Sequence, residues 1–517
     1  MNAAFEAAGS FNKFQKIVCY LVISLAIMNA IQCISYPFLT SQPEFLCRDK
    51  SNIVEDYYEC HNKELCKNEL FDYKINREKS LNNISLEFDL YCERGIYVGI
   101  IGTSFFIGGI FGSFLLSPIP DKYGRSGIYK ILLTASLLLN LNMLLSFSVY
   151  HVIITNFIAG FVYYSTSMVT FIVTEYLPQS ASGKVISLTS SIDPLTGIFI
   201  TFYFKYVNNW RLLFGLASIY SLILSLVVNF YFLESPRWLN SKNRVKESIE
   251  ILKQIADING NKKSFDNFLK QNSQLIKGDE NLKEIKTTYT LFQILQLKSQ
   301  RLNIICLAYL WFCCGLLYYG LVMNLEHLGG NIFLNGIVLF IGEISSELST
   351  GVLADHYGRI LIFKVCGLIG GISFIIWELI GGDNWFRVIL VFMTSFGFSG
   401  IYNLIYIYSP EIFPTSIRST VLGFLFLVNR FGAIIVPYTP YIPHSPILFG
   451  ILSLFSVYVD FHLKETLGIE PPDDIPEAMK QTSFLSNSNT NKLNVSKSHI
   501  FTKRLITSEN YFKNEVI

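Results

Sequence analysis

Hydrophobic positions in this chain form long unbroken stretches, not the alternating or every-third-residue patterns of soluble strands and helices. Twelve such stretches run over 17–39, 96–116, 128–149, 152–177, 185–206, 212–233, 302–324, 332–354, 360–380, 386–409, 421–438 and 447–463. Each is long enough to cross a hydrocarbon core about 30 Å thick, which takes about 20 helical residues. Backbone facing lipid has no water to bond, so the stretches have to be helices that pack against one another. The first is longer than the roughly 7–15-residue core of a signal peptide and no A-x-A-like site follows it, which predicts an uncleaved first span. The fold class expected is an all-α membrane protein.

The polar segments between the stretches divide the chain into an N-terminal segment (1–16), a six-span half (17–233) holding a large loop (41–94), a linker (234–301), a second six-span half (302–464) and a tail (465–517). The tail is rich in Ser and Asn from 486 to 498 and is expected to be disordered. Within the linker, Ile249, Leu252, Ile255 and Ala256 fall at helical spacing, which predicts helices lying under the bundle.

Charge sets the orientation. Short connectors carrying Lys122, Arg125 and Lys130, then His356, Arg359 and Lys364, then Arg418, alternate with connectors that carry almost no charge. The positive-inside rule places the basic set and both termini in the cytoplasm of a multi-pass plasma-membrane protein. The linker agrees, with 13 Lys/Arg against 8 Asp/Glu. Only 15% of the 517 residues are charged and the net charge is +2, with no basic stripe, which excludes nucleic acid as a partner.

The 41–94 loop then lies outside. It gathers Cys47, Cys60, Cys66 and Cys92, which suggests two disulfides in any of three connectivities. Zinc held with His61 is the rival reading. The sequon at Asn83 is expected to carry a glycan, and a second at Asn494, in the tail, is expected to stay bare.

The two halves repeat. Asp121-Lys122-Tyr123-Gly124-Arg125 follows span two, and Asp355-His356-Tyr357-Gly358-Arg359 follows span eight, 234 positions later. Glu175 closes span four and Glu411 closes span ten, 236 apart; Glu234 ends span six and Glu465 ends span twelve, 231 apart. Three motif pairs at nearly one offset argue for duplicated, parallel six-helix halves, an architecture that holds its substrate between the halves near the midplane. In each turn Gly gives backbone freedom and Arg can snorkel, while Asp can sit against a helix N-terminus. Such contacts are expected to form in one arrangement of the halves and break in the other.

Further markers are Glu87-Phe88-Asp89-Leu90-Tyr91-Cys92, Asn209-Trp210-Arg211, Glu234-Ser235-Pro236-Arg237-Trp238-Leu239, Tyr318-Tyr319-Gly320-Leu321 and Glu411-Ile412-Phe413-Pro414-Thr415-Ser416-Ile417-Arg418. With these, the chain from about Phe5 to Gly468 resembles the organic cation/anion/zwitterion transporter family (solute carrier family 22-like) of the major facilitator superfamily. The resemblance implies a twelve-helix secondary transporter of small organic ions working by alternating access. It also implies a gating set of Asp121, Gly124, Arg125, Asp355, Gly358, Arg359, Glu175, Glu234, Arg237, Glu411 and Arg418. The first-half turn departs from the pattern, with Ser117 where Gly is usual, and Ser180-Ala181-Ser182-Gly183-Lys184 lacks the usual Arg. First-half gating is therefore expected to use different contacts.

Ionisable groups inside spans cost about 2.5–3.5 kcal/mol each on insertion scales, so they face a cavity or a partner. Asp193, Glu343, Glu347 and Arg430 are such groups, and buried ion pairs between helices are the alternative to a substrate site. Arg430 falls where the resemblance puts an arginine in anion and zwitterion carriers, and a guanidinium suits a carboxylate. Glu347 stands where anion carriers are basic, so both signs together fit a zwitterion. Trp311, Tyr318 and Tyr319 share one stretch of span seven, and their rings can hold a quaternary ammonium. An organic cation carrier and, further off, a channel remain as alternatives. No His-Glu-x-x-His, Walker loop, Gly-x-Ser-x-Gly or metal-ligand cluster occurs, which predicts a non-enzyme without cofactor or metal and leaves room for a coupling ion.

Overall fold

The computed structural model describes residues 2–49, 57–60, 71–116, 119–177, 191–271, 291–296, 298–381 and 385–468. Cys66, His61, the Asp121 side chain, the 180–184 segment and the tail with Asn494 lie outside the described residues. Among the described residues, the twelve apolar stretches form twelve helices. The first half comprises α1 (Lys13–Ile34), α2 (Ile96–Leu116), α3 (Arg125–Leu144), α4 (Val149–Ile172), α5 (Ile192–Tyr206) and α6 (Trp210–Tyr231). The second comprises α7 (Lys298–Met323), α8 (Ile332–Tyr357), α9 (Arg359–Ile380), α10 (Trp385–Ile412), α11 (Thr415–Ile435) and α12 (Ser445–Val459).

The lipid-facing surface is read from exposed apolar stripes. On α6, Leu212, Leu216, Ile219, Ile223 and Leu226 recur at steps of three and four and stay exposed, as side chains facing hydrocarbon do. Inside, close helix contact replaces hydrophobic burial as the packing device. A Cβ on Gly108, Gly112 or Gly160 would fall 1.9, 2.1 and 1.8 Å from carbonyl oxygens of the facing helix, so α2 and α4 pack backbone to backbone.

The two ends of the bundle differ. One, the loop face, carries the described residues of the 41–95 loop; the other, the linker face, carries the linker helices. The loop holds a three-stranded antiparallel sheet that the sequence had not suggested, in the order β2 (Tyr58–Cys60), β1 (Phe45–Asp49), β3 (Phe71–Ile75). Cys47 and Cys60 are disulfide-bonded across β1 and β2, and Cys92 is disulfide-bonded as well. A clamp ties the loop to the bundle. Glu87 accepts the Trp210 indole N–H at 2.9 Å and the Arg211 guanidinium at 2.5 Å, while Arg211 also donates to the carbonyls of Leu144 and Ser146.

Asn83 departs from the expectation of a glycan-bearing surface residue. It is 1% exposed, and its Oδ1 caps the short Ile84–Glu87 helix by accepting the Leu86 N–H at 2.9 Å. Its Nδ2, the atom a glycan would occupy, donates to the Phe38 and Ser41 carbonyls and to the Ser41 hydroxyl, each at 2.9 Å. A glycan there has no room in this fold. Asn83→Gln is therefore expected to leave gel mobility unchanged and to destabilise the loop junction by about 1–3 kcal/mol, the cost of a lost cap and unsatisfied buried carbonyls. Mobility on gels and a thermal melt of the solubilised protein check both parts.

At the linker face, the Val245–Ile258 helix buries Leu252, Ile255 and Ala256, as its spacing predicts. Asn259 at its end accepts the Phe14 N–H and donates to the Ala8 carbonyl, each at 2.9 Å, and to Gln15 Oε1 at 3.1 Å. The linker and the N-terminal segment are thereby fastened to the first half.

Candidate substrate site and paired charge clusters

The duplicated motifs build two matching clusters at the linker face. Gly124 and Gly358 stand at the N-caps of α3 and α9 with φ of +107° and +104°, a conformation that favours glycine. Lacking side chains, they cannot cap the helices they precede. The acceptor arrives from the end of the same half. Glu234 Oε1 accepts Arg125 N–H at 2.7 Å and Ser126 N–H at 3.2 Å. Glu465 accepts Arg359 N–H at 2.9 Å and Ile360 N–H at 3.1 Å. An anion at these helix starts satisfies orphan donors and meets the positive end of the dipole. The arginine side chains then turn the other way, Arg125 to Glu175 at 2.7 Å and Arg359 to Glu411 at 3.1 Å.

Several expectations change here. The anion at the helix N-terminus is a glutamate six helices into each half, not Asp355, which is 67% exposed and pairs with Arg359 of its own turn at 2.9 Å. Among the described residues, the contacts of each cluster lie within one half. Among the described residues, Arg125, Glu175 and Glu234 of the first half are arranged as Arg359, Glu411 and Glu465 are in the second. The ordered second half also runs past 464, since Glu465 is part of its cluster. Arg237 donates at 2.9 Å to the carbonyl of Leu177 at the end of span four, and Arg418 at 3.1 Å to that of Phe413 in its own turn.

Midway along the helices, the remaining candidates meet. From α8, Glu343 is 2% exposed and accepts the Tyr318 hydroxyl at 2.5 Å. Glu347 lies one turn on, within hydrogen-bonding reach of Ser191 and within electrostatic reach of Glu343 and of Asp193 on α5. Asp193 accepts the Tyr163 hydroxyl at 3.3 Å. The three carboxylates therefore come from both halves. Glu343 Oε2 and Glu347 Oε2 are buried without a hydrogen-bond partner, a costly arrangement unless a proton or a cation is supplied.

Arg430 on α11 is 6% exposed and stands at the other end of a wall of rings. Its Nη1 donates to Asn429 Oδ1 at 2.9 Å, and Asn429 Nδ2 donates to the Trp311 carbonyl at 3.0 Å, which fixes the guanidinium on α7 and α11. Tyr406 lies within hydrogen-bonding reach of Arg430, and its hydroxyl meets that of Tyr402 at 3.2 Å. Tyr402 stacks on Tyr318 with centroids 4.6 Å apart, and Tyr319 meets Phe106 of the first half at 5.0 Å. Cys33 of α1 is within electrostatic reach of Asp193, Glu343 and Arg430 together. The site thus presents a guanidinium, a run of tyrosines and a carboxylate cluster in that order.

Trp311 does not join this surface. Its indole N–H donates to Ser409 at 2.9 Å and its ring is covered by Tyr406 and Phe426, so it supports the wall from behind. Tyr402, Tyr406, Tyr163, Cys33 and Phe106 were not anticipated. The pair at 402 and 406, four apart in span ten, is the one sequence signal that marks a shared face.

The seam between halves is closed on the loop-face side of this site. Thr103 donates to the Ile434 carbonyl at 3.4 Å, Tyr441 to the Gly95 carbonyl at 3.4 Å, and Gln42 N–H to Glu326 at 3.0 Å. Phe38 and Phe333 stack across it at 6.2 Å, and a Cβ on Gly197 would fall 2.4 Å from the Phe340 ring.

Two six-helix halves with a charged, ring-lined site at their seam define a major facilitator secondary transporter that works by alternating access, and not an enzyme. The profile of the family described as sugar (and other) transporter matches residues 57–469, and the chain belongs to that family. It is similar to solute carrier family 22 member 21 of Mus musculus, 24% identical over 91% of this chain and 92% of that protein. It is similar too to the organic cation/carnitine transporter 2 of Mus musculus (25% identical, 79% and 74% covered) and to the organic cation transporter protein of Drosophila melanogaster (25%, 91% and 92%). Among solved structures, the inward open conformation of the xylose transporter XylE from E. coli superimposes with a TM-score of 0.66 at 14% identity, covering 90% of this chain and 99% of that one.

Proposed function

We propose that the protein carries a small zwitterion bearing a carboxylate and a quaternary ammonium across the plasma membrane, with the linker face and both termini in the cytoplasm. The observation that carries this reading is the order of groups in the central site. Arg430 offers a guanidinium to a carboxylate, and Tyr318, Tyr319 and Tyr402 offer ring faces to an ammonium group. Glu343, Glu347 and Asp193 supply the countercharge. A pure dianion would meet the carboxylates unfavourably, and a pure cation would meet the like charge of Arg430. The name of the similar Mus musculus protein, organic cation/carnitine transporter 2, supports the same class.

On this orientation the closed loop-face seam makes the present state inward-facing, and the two linker-face clusters hold each half rigid as it rocks. The chain then divides into the cytoplasmic segment 1–16, the halves 17–233 and 302–464 extended through Glu465, the cytoplasmic linker 234–301 and the tail. The unsatisfied oxygens of Glu343 and Glu347 give a coupling ion or proton a place beside the substrate.

Uptake into vesicles of a betaine, a monovalent organic cation and a dicarboxylate tests the reading. Saturable uptake of the betaine, inhibited weakly by the other two, is expected. Transport of the cation alone would assign the site to organic cations and leave Arg430 with a structural role.

A further inference from the structure

Glu326 lies in the short turn Leu325–Leu328 after α7, at the loop-face seam and beyond the end of the spanning helix. Its Oε1 accepts the Gln42 N–H at 3.0 Å, so a carboxyl of the second half closes onto the end of the first helix of the first half. Tyr36 on the α1 side and Tyr441 after α11 lie within electrostatic reach of it, as does Glu44, and Tyr438 lies within reach of both tyrosines. His327 is its neighbour in the turn. Among the described residues, the phenols of Tyr36 and Tyr441 and the Glu44 carboxylate are the neighbours of Glu326, and the Gln42 amide donates to it. Its side chain keeps some accessible surface, so protons reach it, yet the surrounding protein removes most of its hydration.

We propose that Glu326 is a proton site of the outer gate: it binds a proton from the outside as the seam closes and returns it to the outside as the seam opens. The proton does not cross the membrane, so the device sets how long the carrier faces outward without driving flux. The inference rests on the alternating-access reading. Burial, with Glu44 adding to it and the Gln42 N–H opposing it, pushes the Glu326 carboxyl up to about 8 in the closed seam. An opened seam returns it to water and to the ordinary range near 4.5. The closed form therefore holds the proton more tightly. Closure is favoured fully below the ordinary carboxylate range and weakens as pH rises, by up to about tenfold in the closed-to-open ratio per pH unit, until about pH 8.

Phe333→Cys, placed on the seam, gives the readout, as its labelling rate by a membrane-impermeant maleimide reports opening from the outside. Rates are measured in the full-length protein in vesicles at external pH 6 to 8.5, each divided by the rate for the same cysteine in detergent-denatured protein, which removes the thiol's own pH dependence. The normalised rate is expected to rise several-fold over this range, and the added substitution Glu326→Gln is expected to flatten it. A flat profile with Glu326 present overturns the inference, whether or not the Gln variant folds; so does an unchanged rise in a folded Gln variant. Labelling in the presence of saturating betaine separates the two failures: if it responds to betaine but not to pH, only the proton site falls, and if it responds to neither, the carrier reading falls with it.

Discussion

Gly358→Ala is expected to destabilise the second half by about 3 kcal/mol and to reduce the amount of protein at the cell surface severely. Two costs combine. A side chain at φ +104° costs about 1–2 kcal/mol, and the new Cβ would sit 2.6 Å from Glu465 Oε2, displacing the cap from α9. Losing its bonds to the Arg359 and Ile360 N–H groups adds about 0.5–1.5 kcal/mol each. Gly124→Ala should behave alike, since its Cβ would lie 2.5 Å from Glu234 Oε2. Gly351→Ala is the control, because a Cβ there meets only Ile407 at 4.0 Å. Thermal melts of the solubilised variants measure the difference; equal melting of the 351 and 358 variants would refute the capping role of Glu465.

Arg430→Ala is expected to weaken affinity for a carboxylated substrate by about 10–150-fold, the equivalent of losing a charge-assisted hydrogen bond of about 1.5–3 kcal/mol. Arg430→Lys should recover only part, since lysine keeps the charge but not the fork. The competing account pairs Arg430 with Asp193 or Glu343 as a fixed strut. Its Nη1 donates to Asn429 and it lies beside Tyr406. Surface biotinylation run beside uptake separates the two: normal surface amounts with unchanged affinity for carboxylated substrates would remove Arg430 from the site.

The spans and the duplication were legible because lipid selects unbroken apolar stretches, and because Arg125, Glu175 and Glu234 recur as Arg359, Glu411 and Glu465. The chemistry of the clusters was only half legible. Sequence marks Asp355 and Glu465 equally as charges at span ends, and only the fold shows which one reaches the N–H groups of α9. Inside the spans the sequence is weaker still. A helix in lipid is apolar on every side, so nothing in the spacing says that Tyr402 faces the site while Trp311 lies behind it. Tyr163 and Phe106 were missed for the same reason. Asn83 failed differently: a sequon is a three-residue pattern, and burial of its amide against Phe38 and Ser41 depends on a contact more than forty residues away.

Counterflow tests the central claim, an alternating-access carrier for a zwitterion, most directly. Proteoliposomes loaded with unlabelled betaine and diluted into labelled betaine, with no other gradient, should accumulate label transiently above its equilibrium level, because each return of the carrier from inside is sped by bound substrate. Label that only equilibrates, at a rate indifferent to betaine on the opposite side, would mean an open pathway and would contradict the account.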